Sequence, residues 1–136
     1  KDYLGEVSAQ LKILDGRKGQ FFTPYSVSLL LAQITFEFTV PPHNEVYLVN
    51  EPTCGSGGMI IAVAQVIADK KWGIENFCFI AEDVDRLCAM MAYAQLSMLD
   101  IPAIVVCGDT LTRKEYDRWY TLPVLTSRKY MDALRR

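Results

Sequence analysis

The stretch Thr53-Cys54-Gly55-Ser56-Gly57-Gly58 puts three glycines into four consecutive positions between two apolar runs, VYLVNEP before it and MIIAVAQVIA after it. Glycine loses more backbone freedom on folding than any other residue, so such a cluster marks a sharp turn or a close approach of the backbone to something else. The first run has the length and residue types of a short buried strand. The second continues without a break for ten residues, Met59 to Ala68, which suits a helix. A strand, a glycine turn and a helix open a βαβ unit, and that unit commits the chain to a parallel sheet.

The rest of the chain agrees. Phe77 to Ala81 reads as a second buried strand ending at Glu82-Asp83, Asp85 to Leu99 as a helix, and Ala103 to Cys107 as a third strand ending at Gly108-Asp109. Ahead of the first strand (Val46 to Val49), Leu4, Val7, Leu11 and Leu14 recur at helical spacing over residues 2 to 14. Gly16-Arg17-Lys18-Gly19 breaks that helix, and Thr23-Pro24 reads as a cap and first-turn proline for a second one through Ile34. Beyond Leu111 the pattern fades: KEYDRWYTLPVL reads as a loop or as a short helix leading into a strand, and SRKYMDALRR as a final short helix. The expected organisation is one α/β domain over residues 1–136, with a helical part over 1–44, a βαβαβ core over 45–111 and a tail over 112–136.

Composition narrows the function classes. With 51% hydrophobic and 22% charged residues the chain is of globular type, and no apolar run approaches the roughly 18 residues of a membrane span. The segment KDYLGEVSAQ has no signal-peptide core, and four scattered cysteines with a single histidine fit neither a zinc site nor a disulfide framework. Reduced thiols and a cytoplasmic setting are expected. A net charge of −2 is a poor footprint for gripping phosphates over a wide surface, so any contact with DNA is expected to be indirect or to use other parts.

In a βαβ unit the first strand-to-helix turn is where a cofactor meets backbone N–H groups. Gly55, Gly57 and Gly58 occupy that turn and Ser56 adds a hydroxyl, although tight strand–helix packing would also explain the glycines. The spacing matches neither GxGxxG nor GxxxxGK[ST]. Glu82 ends the second strand 24 residues after Gly58, near the position at which dinucleotide-binding folds place an acid on ribose hydroxyls. Asp83 and Asp85 are rivals, and acids at a helix start also have a purely structural use. Glu51, Glu82 and Asp109 follow three successive strands, an arrangement that favours a positively charged ligand over a pyrophosphate.

GQFFTP (Gly19 to Pro24), EPTCGSGG (Glu51 to Gly58), the acid after the second strand, AMMAYAQLSMLDI and GDTL (Gly108 to Leu111) together resemble the N6-adenine DNA methyltransferases, most of all the methylation subunit of type I restriction–modification systems. The likeness covers about residues 2 to 112. It implies a Rossmann-like S-adenosylmethionine-dependent methyltransferase fold and, by position, a set of roles. Phe21, Phe22 and Thr23 would line the methionine end of the cofactor, flanked by Gln20, Pro24 and Tyr25. Ser56, Gly57 and Gly58 would floor the pocket, with Gly55 setting the turn. Glu82 would hold the ribose and Asp109 the adenine amino group. Glu51 stands where the family's usual residue is aspartate.

The same likeness exposes a gap. The family places an N/D-P-P-F/Y tetrapeptide after a fourth strand, where it binds the target amino group and stacks on the flipped base. No such tetrapeptide follows Asp109, and VPPH (Val40 to His43) precedes the glycine turn. The expectation is a cofactor-binding half with little or no turnover alone, joined to DNA and a specificity subunit through other parts, and without a membrane partner. The alternative is a non-catalytic interaction protein or decoy of a restriction–modification complex. A nicotinamide-dependent oxidoreductase ranks below both, because its glycine signature is missing.

Overall fold

The computed structural model describes residues 1–10, 22–39 and 45–135. Two helices, α1 (Tyr3–Gln10) and α2 (Tyr25–Phe36), precede β1 (Tyr47–Glu51), α3 (Gly58–Asp69), β2 (Phe77–Asp83), α4 (Arg86–Met98) and β3 (Ala103–Asp109). Then come β4 (Lys114–Tyr120), α5 (Leu122–Thr126) and α6 (Arg128–Leu134). Residues 11–14 of the expected first helix, the Gly16–Gly19 breaker and VPPH lie outside the described residues.

Local chemistry accounts for the helix starts. Asp85 caps α4, its Oδ1 accepting from the N–H groups of Leu87 at 2.8 Å and Cys88 at 3.2 Å. The start of α2 differs from expectation. Pro24 occupies the cap position in extended conformation, φ −55° and ψ 138°, and no side chain caps the helix. The carbonyl of Pro24 takes the first bonds, from Val27 N–H at 2.9 Å and Ser28 N–H at 3.1 Å, so the helix begins one residue later than Thr23-Pro24 suggests.

The sheet runs β1-β2-β3-β4. β1 and β2 are parallel, with Val49 opposite Phe79, and β2 and β3 are parallel, with Ala81 opposite Val105. The fourth strand is antiparallel to β3, with Val105 opposite Trp119 and a bulge at Cys107/Gly108. Over KEYDRWYTLPVL, expected as a loop or as a short helix leading into a strand, the strand comes first and the short helix α5 follows it. The strand's sequence, KEYDRWY, hid it because most of its side chains stay in water: charged residues on an edge strand deter pairing with other chains while the backbone still completes the ladder. Two aromatic residues anchor it, Trp119 on one face of the sheet and Tyr120 on the other.

Alternation along the strands divides the core. Phe77, Phe79 and Ala81 of β2 with Ala103 and Val105 of β3 pack against α2, α3 and α4. Cys78, Ile104 and Val106 point the other way, onto Val124 of α5 and Tyr130 of α6. The tail therefore covers the second sheet face. Thr121 joins it to the sheet: buried, its hydroxyl donates to Ile101 O at 2.8 Å and accepts from Ala103 N–H at 2.8 Å. The result is an α/β sandwich whose parallel strands β1 and β2 deliver their C-terminal ends to the glycine turn.

Candidate functional site

The glycine turn is held from both neighbouring strands. Cys54 N–H donates to Glu82 O at 2.8 Å and Gly55 N–H to Asp83 Oδ2 at 2.8 Å, binding the turn after β1 to the end of β2. Gly57 then adopts φ 94° and ψ 9° at the cap of α3, a conformation that L side chains seldom enter. A Cβ on Gly57 would sit 3.4 Å from the Ala92 backbone of α4, and one on Gly58 would sit 2.7 Å from Asp2 Oδ2. The left-handed φ at Gly57, and the contact with Asp2 at Gly58, demand glycine at these two positions. The bland alternative weighed from sequence, close packing, is thus real for part of the cluster.

Asp2 was not singled out by sequence reasoning, yet it lies in the site. It is buried, caps α1 by accepting from Gly5 N–H at 2.8 Å, and accepts from Gln95 Nε2 at 2.7 Å through the same oxygen. Its other oxygen takes the hydroxyl of Ser56. Gln95, in the last turn of α4 and buried, also donates to Ser56 O at 2.8 Å and accepts from Leu4 N–H at 3.1 Å. One amide side chain therefore joins α1, the glycine turn and α4. An aspartate just ahead of an apolar-periodic segment is a legible cap signal. Nothing local predicts a partner 93 residues away.

Over this floor lies a cleft of about 770 Å³, reaching from Phe22, Thr23 and Ser28 on the α2 side to Asp83, Val84, Asp85 and Cys88 on the α4 side. Of the residues singled out from sequence, Phe22, Thr23, Glu51, Gly55, Ser56 and Gly58 line it. Gly57 is buried behind it, and Gln20 and Phe21 lie outside the described residues. Pro24, Tyr25, Glu82 and Asp109 are not in its lining. For Glu82 the reason is strand alternation: it follows Cys78 and Ile80 toward the other sheet face, where its Oε1 would be 3.0 Å from a Cβ on Gly108. Its neighbour Asp83 faces the cleft and accepts from Asp85 N–H at 2.9 Å as well as from Gly55. Asp109 closes its own turn, accepting from Leu111 N–H at 2.9 Å and Thr112 N–H at 3.2 Å, and the bond from Thr112 leads in holding its carboxyl below the usual range.

Asp2, Glu51, Asp83 and Asp85 line the cleft, and among the described residues no lysine or arginine does. Such a wall favours a cationic ligand over a polyphosphate. Cys54 and Cys88 also border it as buried free thiols. Burial first, then the nearby Asp83, pushes both thiols upward, Cys88 to about 12. Away from the cleft, burial pushes Cys78 to about 11. In the unfolded chain these thiols lose their protons near the ordinary value of 9.0, whereas the fold keeps them protonated. The folded state then binds more protons, so stability is fully present below pH 9 and falls as pH rises through the folded values. Thermal midpoints measured from pH 7 to 11 should decline above 9, and the Cys78→Ala variant should decline less steeply.

Among the described residues, no helix is long and apolar enough to cross a membrane. The family model described as N-6 DNA Methylase matches residues 7–133. The chain is also similar to the type I restriction enzyme MpnII methylase subunit of Mycoplasma pneumoniae, at 29% identity over 110 residues. That match takes in 75% of this chain but 18% of the relative, so the chain spans about a fifth of the relative's length. The GQFFTP and EPTCGSGG motifs, the βαβαβ order and a family match over nearly the whole chain agree: the chain belongs to the N-6 DNA methylase family.

Proposed function

We propose that this chain is the S-adenosylmethionine-binding core, Rossmann-like in fold, of an adenine-N6 DNA methyltransferase of a restriction–modification system. The observation that carries the reading is the cleft at the glycine turn, lined by four carboxylates and, among the described residues, by no basic side chain. S-adenosylmethionine is a nucleoside with a sulfonium and an ammonium group, and it would supply an activated methyl group. The residues present fit it. Gly55 and Gly58 line the floor, Phe22 and Thr23 flank one end, and Ser56 and Glu51 border the middle. Asp83 takes the ribose place expected of Glu82, since a carboxylate has lone pairs left after accepting two backbone N–H bonds. Asp109 keeps its proposed place near the adenine amino group through Oδ2, since the bonds from Leu111 and Thr112 both go to its Oδ1.

Without an N/D-P-P-F/Y tetrapeptide after Asp109, the chain has no recognised group to hold the target amine. It is therefore expected to bind cofactor without turnover, with DNA and a specificity subunit engaged through other parts, in the cytoplasm. Calorimetry with S-adenosylmethionine is the test. The wild-type chain should bind. Asp83→Asn should weaken binding at least roughly tenfold, about 1.4 kcal/mol, and Glu82→Gln by less than about threefold. The reverse order would return the ribose to Glu82. Methyl label appearing on unmethylated DNA with the chain alone would overturn the expectation of no turnover.

The second reading, a non-catalytic interaction protein or decoy, is favoured by the outer side of α2 and the residues after it. Leu30, Leu31, Ile34 and Phe38 are all exposed there, Phe38 by 93%. Binding to a specificity subunit that survives Asp83→Asn would support it.

A further inference from the structure

Among the described residues, one buried side-chain polar atom has no hydrogen-bond partner, the hydroxyl oxygen of Ser28. Ser28 is 1% exposed, lies in the first turns of α2 and lines the cleft. A buried hydroxyl without a partner is costly, and a helical serine normally relieves it by donating to the carbonyl four residues back. That carbonyl belongs to Pro24 and already accepts from the N–H groups of Val27 and Ser28 itself. The hydroxyl is thus left without a partner among the described residues, on a residue that lines the cleft.

The other cleft hydroxyls have different circumstances. Ser56 donates to Asp2, and Thr53 Oγ1 donates to Glu51 Oε1 at 3.3 Å, while Thr23 stands exposed at the rim. The carboxylates of the wall are all acceptors and suit the cationic groups of the ligand. An anionic group on the same ligand needs a donor, and it needs it away from those acids. Ser28 supplies one near the positive end of α2, whose cap residue Pro24 has no side-chain bond to offer.

We propose that Ser28 donates its hydroxyl to the carboxylate at the amino-acid end of S-adenosylmethionine and so discriminates the intact amino acid from analogues lacking it. This assignment rests on the cofactor reading given above. It makes Ser28 a binding residue and gives the α2 side of the cleft the amino-acid end.

The test is calorimetric titration of the wild-type chain and Ser28→Ala with S-adenosylmethionine and with its decarboxylated analogue, beside thermal melts of both proteins without ligand. Ser28→Ala should weaken S-adenosylmethionine binding about tenfold and leave the decarboxylated analogue within twofold. Its ligand-free melting temperature should equal or exceed that of wild type, because the substitution deletes an unpaired buried hydroxyl. Ser28→Cys keeps the volume with a poor donor and should behave like alanine, which guards against an alanine-specific packing defect. Unchanged affinity for S-adenosylmethionine in both variants would overturn the assignment alone. So would an equal loss for both ligands, or a lowered ligand-free melting temperature with that loss, since each marks a structural hydroxyl. Failure of the wild-type chain to bind either ligand would overturn the cofactor reading and the assignment together.

Discussion

Gly57→Val is expected to destabilise the chain by about 3–4 kcal/mol, a large part of the 5–15 kcal/mol that holds a typical domain together. Two costs add. The left-handed backbone at φ 94° costs an L residue about 1–2 kcal/mol, and β-branching makes it worse. The branched side chain must also enter the contact with Ala92, where even a bare Cβ would sit 3.4 Å from both Cα and Cβ of that residue. Overpacking of that kind costs about 1–3 kcal/mol, because α4 cannot retreat without opening its packing on the sheet. Gly57→Ala carries only the first cost and the Cβ contact, and should lose about 1–2 kcal/mol. Urea denaturation of the three proteins measures the series. If alanine and valine were equally harmful, the backbone conformation alone would govern the position; if neither mattered, the turn would not be held as described.

The second large effect is expected at Gln95. Gln95→Leu removes the donor to Asp2 Oδ1 and Ser56 O and the acceptor of Leu4 N–H. Each buried group left without a partner costs about 1–3 kcal/mol, and partial release of α1 to water brings the expected total to about 3 kcal/mol. Hydrogen exchange should show α1 opening at lower energy than α3, since its cap and its link to α4 pass through the same residues. The control is Gln65→Leu on α3, where the amide donates to Asp69 at 2.8 Å in full contact with water. That change should stay within about 0.5 kcal/mol. S-adenosylmethionine binding should weaken in Gln95→Leu beyond any effect in Gln65→Leu, because Asp2 and Ser56 both border the cleft.

The exposure of these two glutamines could not be told apart from helical pattern alone. Both stand in apolar helices with aliphatic neighbours. What separates them is which turn of the chain arrives opposite: solvent for Gln65, and the glycine turn with the start of α1 for Gln95. The same limitation explains Asp2, whose cap role is local but whose bond to Ser56 spans 54 residues.

Much of the architecture was nonetheless readable. The apolar runs of β2 and β3, the helices between them and the glycine turn followed from period, run length and turn chemistry, because parallel strands buried on both faces are continuously apolar, whereas β1, expected as buried, is an edge strand of alternating half-buried and exposed residues. Short-range physics also placed Asp85 at a helix start. The fourth strand was not readable, since an edge strand buries little and carries charges that resemble a loop. Nor was the choice between Glu82 and Asp83. Adjacent residues on a strand face opposite sides of the sheet, and a shift of one position decides which carboxylate meets the cleft.

The amino-acid sequence by itself determined the βαβαβ order, the position of the glycine turn and membership in a family, because these depend on local residue types and on motifs that stand close together. Only the tertiary structure decided why Gly57 and Gly58 must be glycine, that Gln95 ties α1 to the turn, and that Ser28, in the lining of the cleft, keeps a buried hydroxyl without a partner among the described residues. Each of these depends on atoms brought together from distant parts of the chain, and distance along the sequence carries no record of that approach.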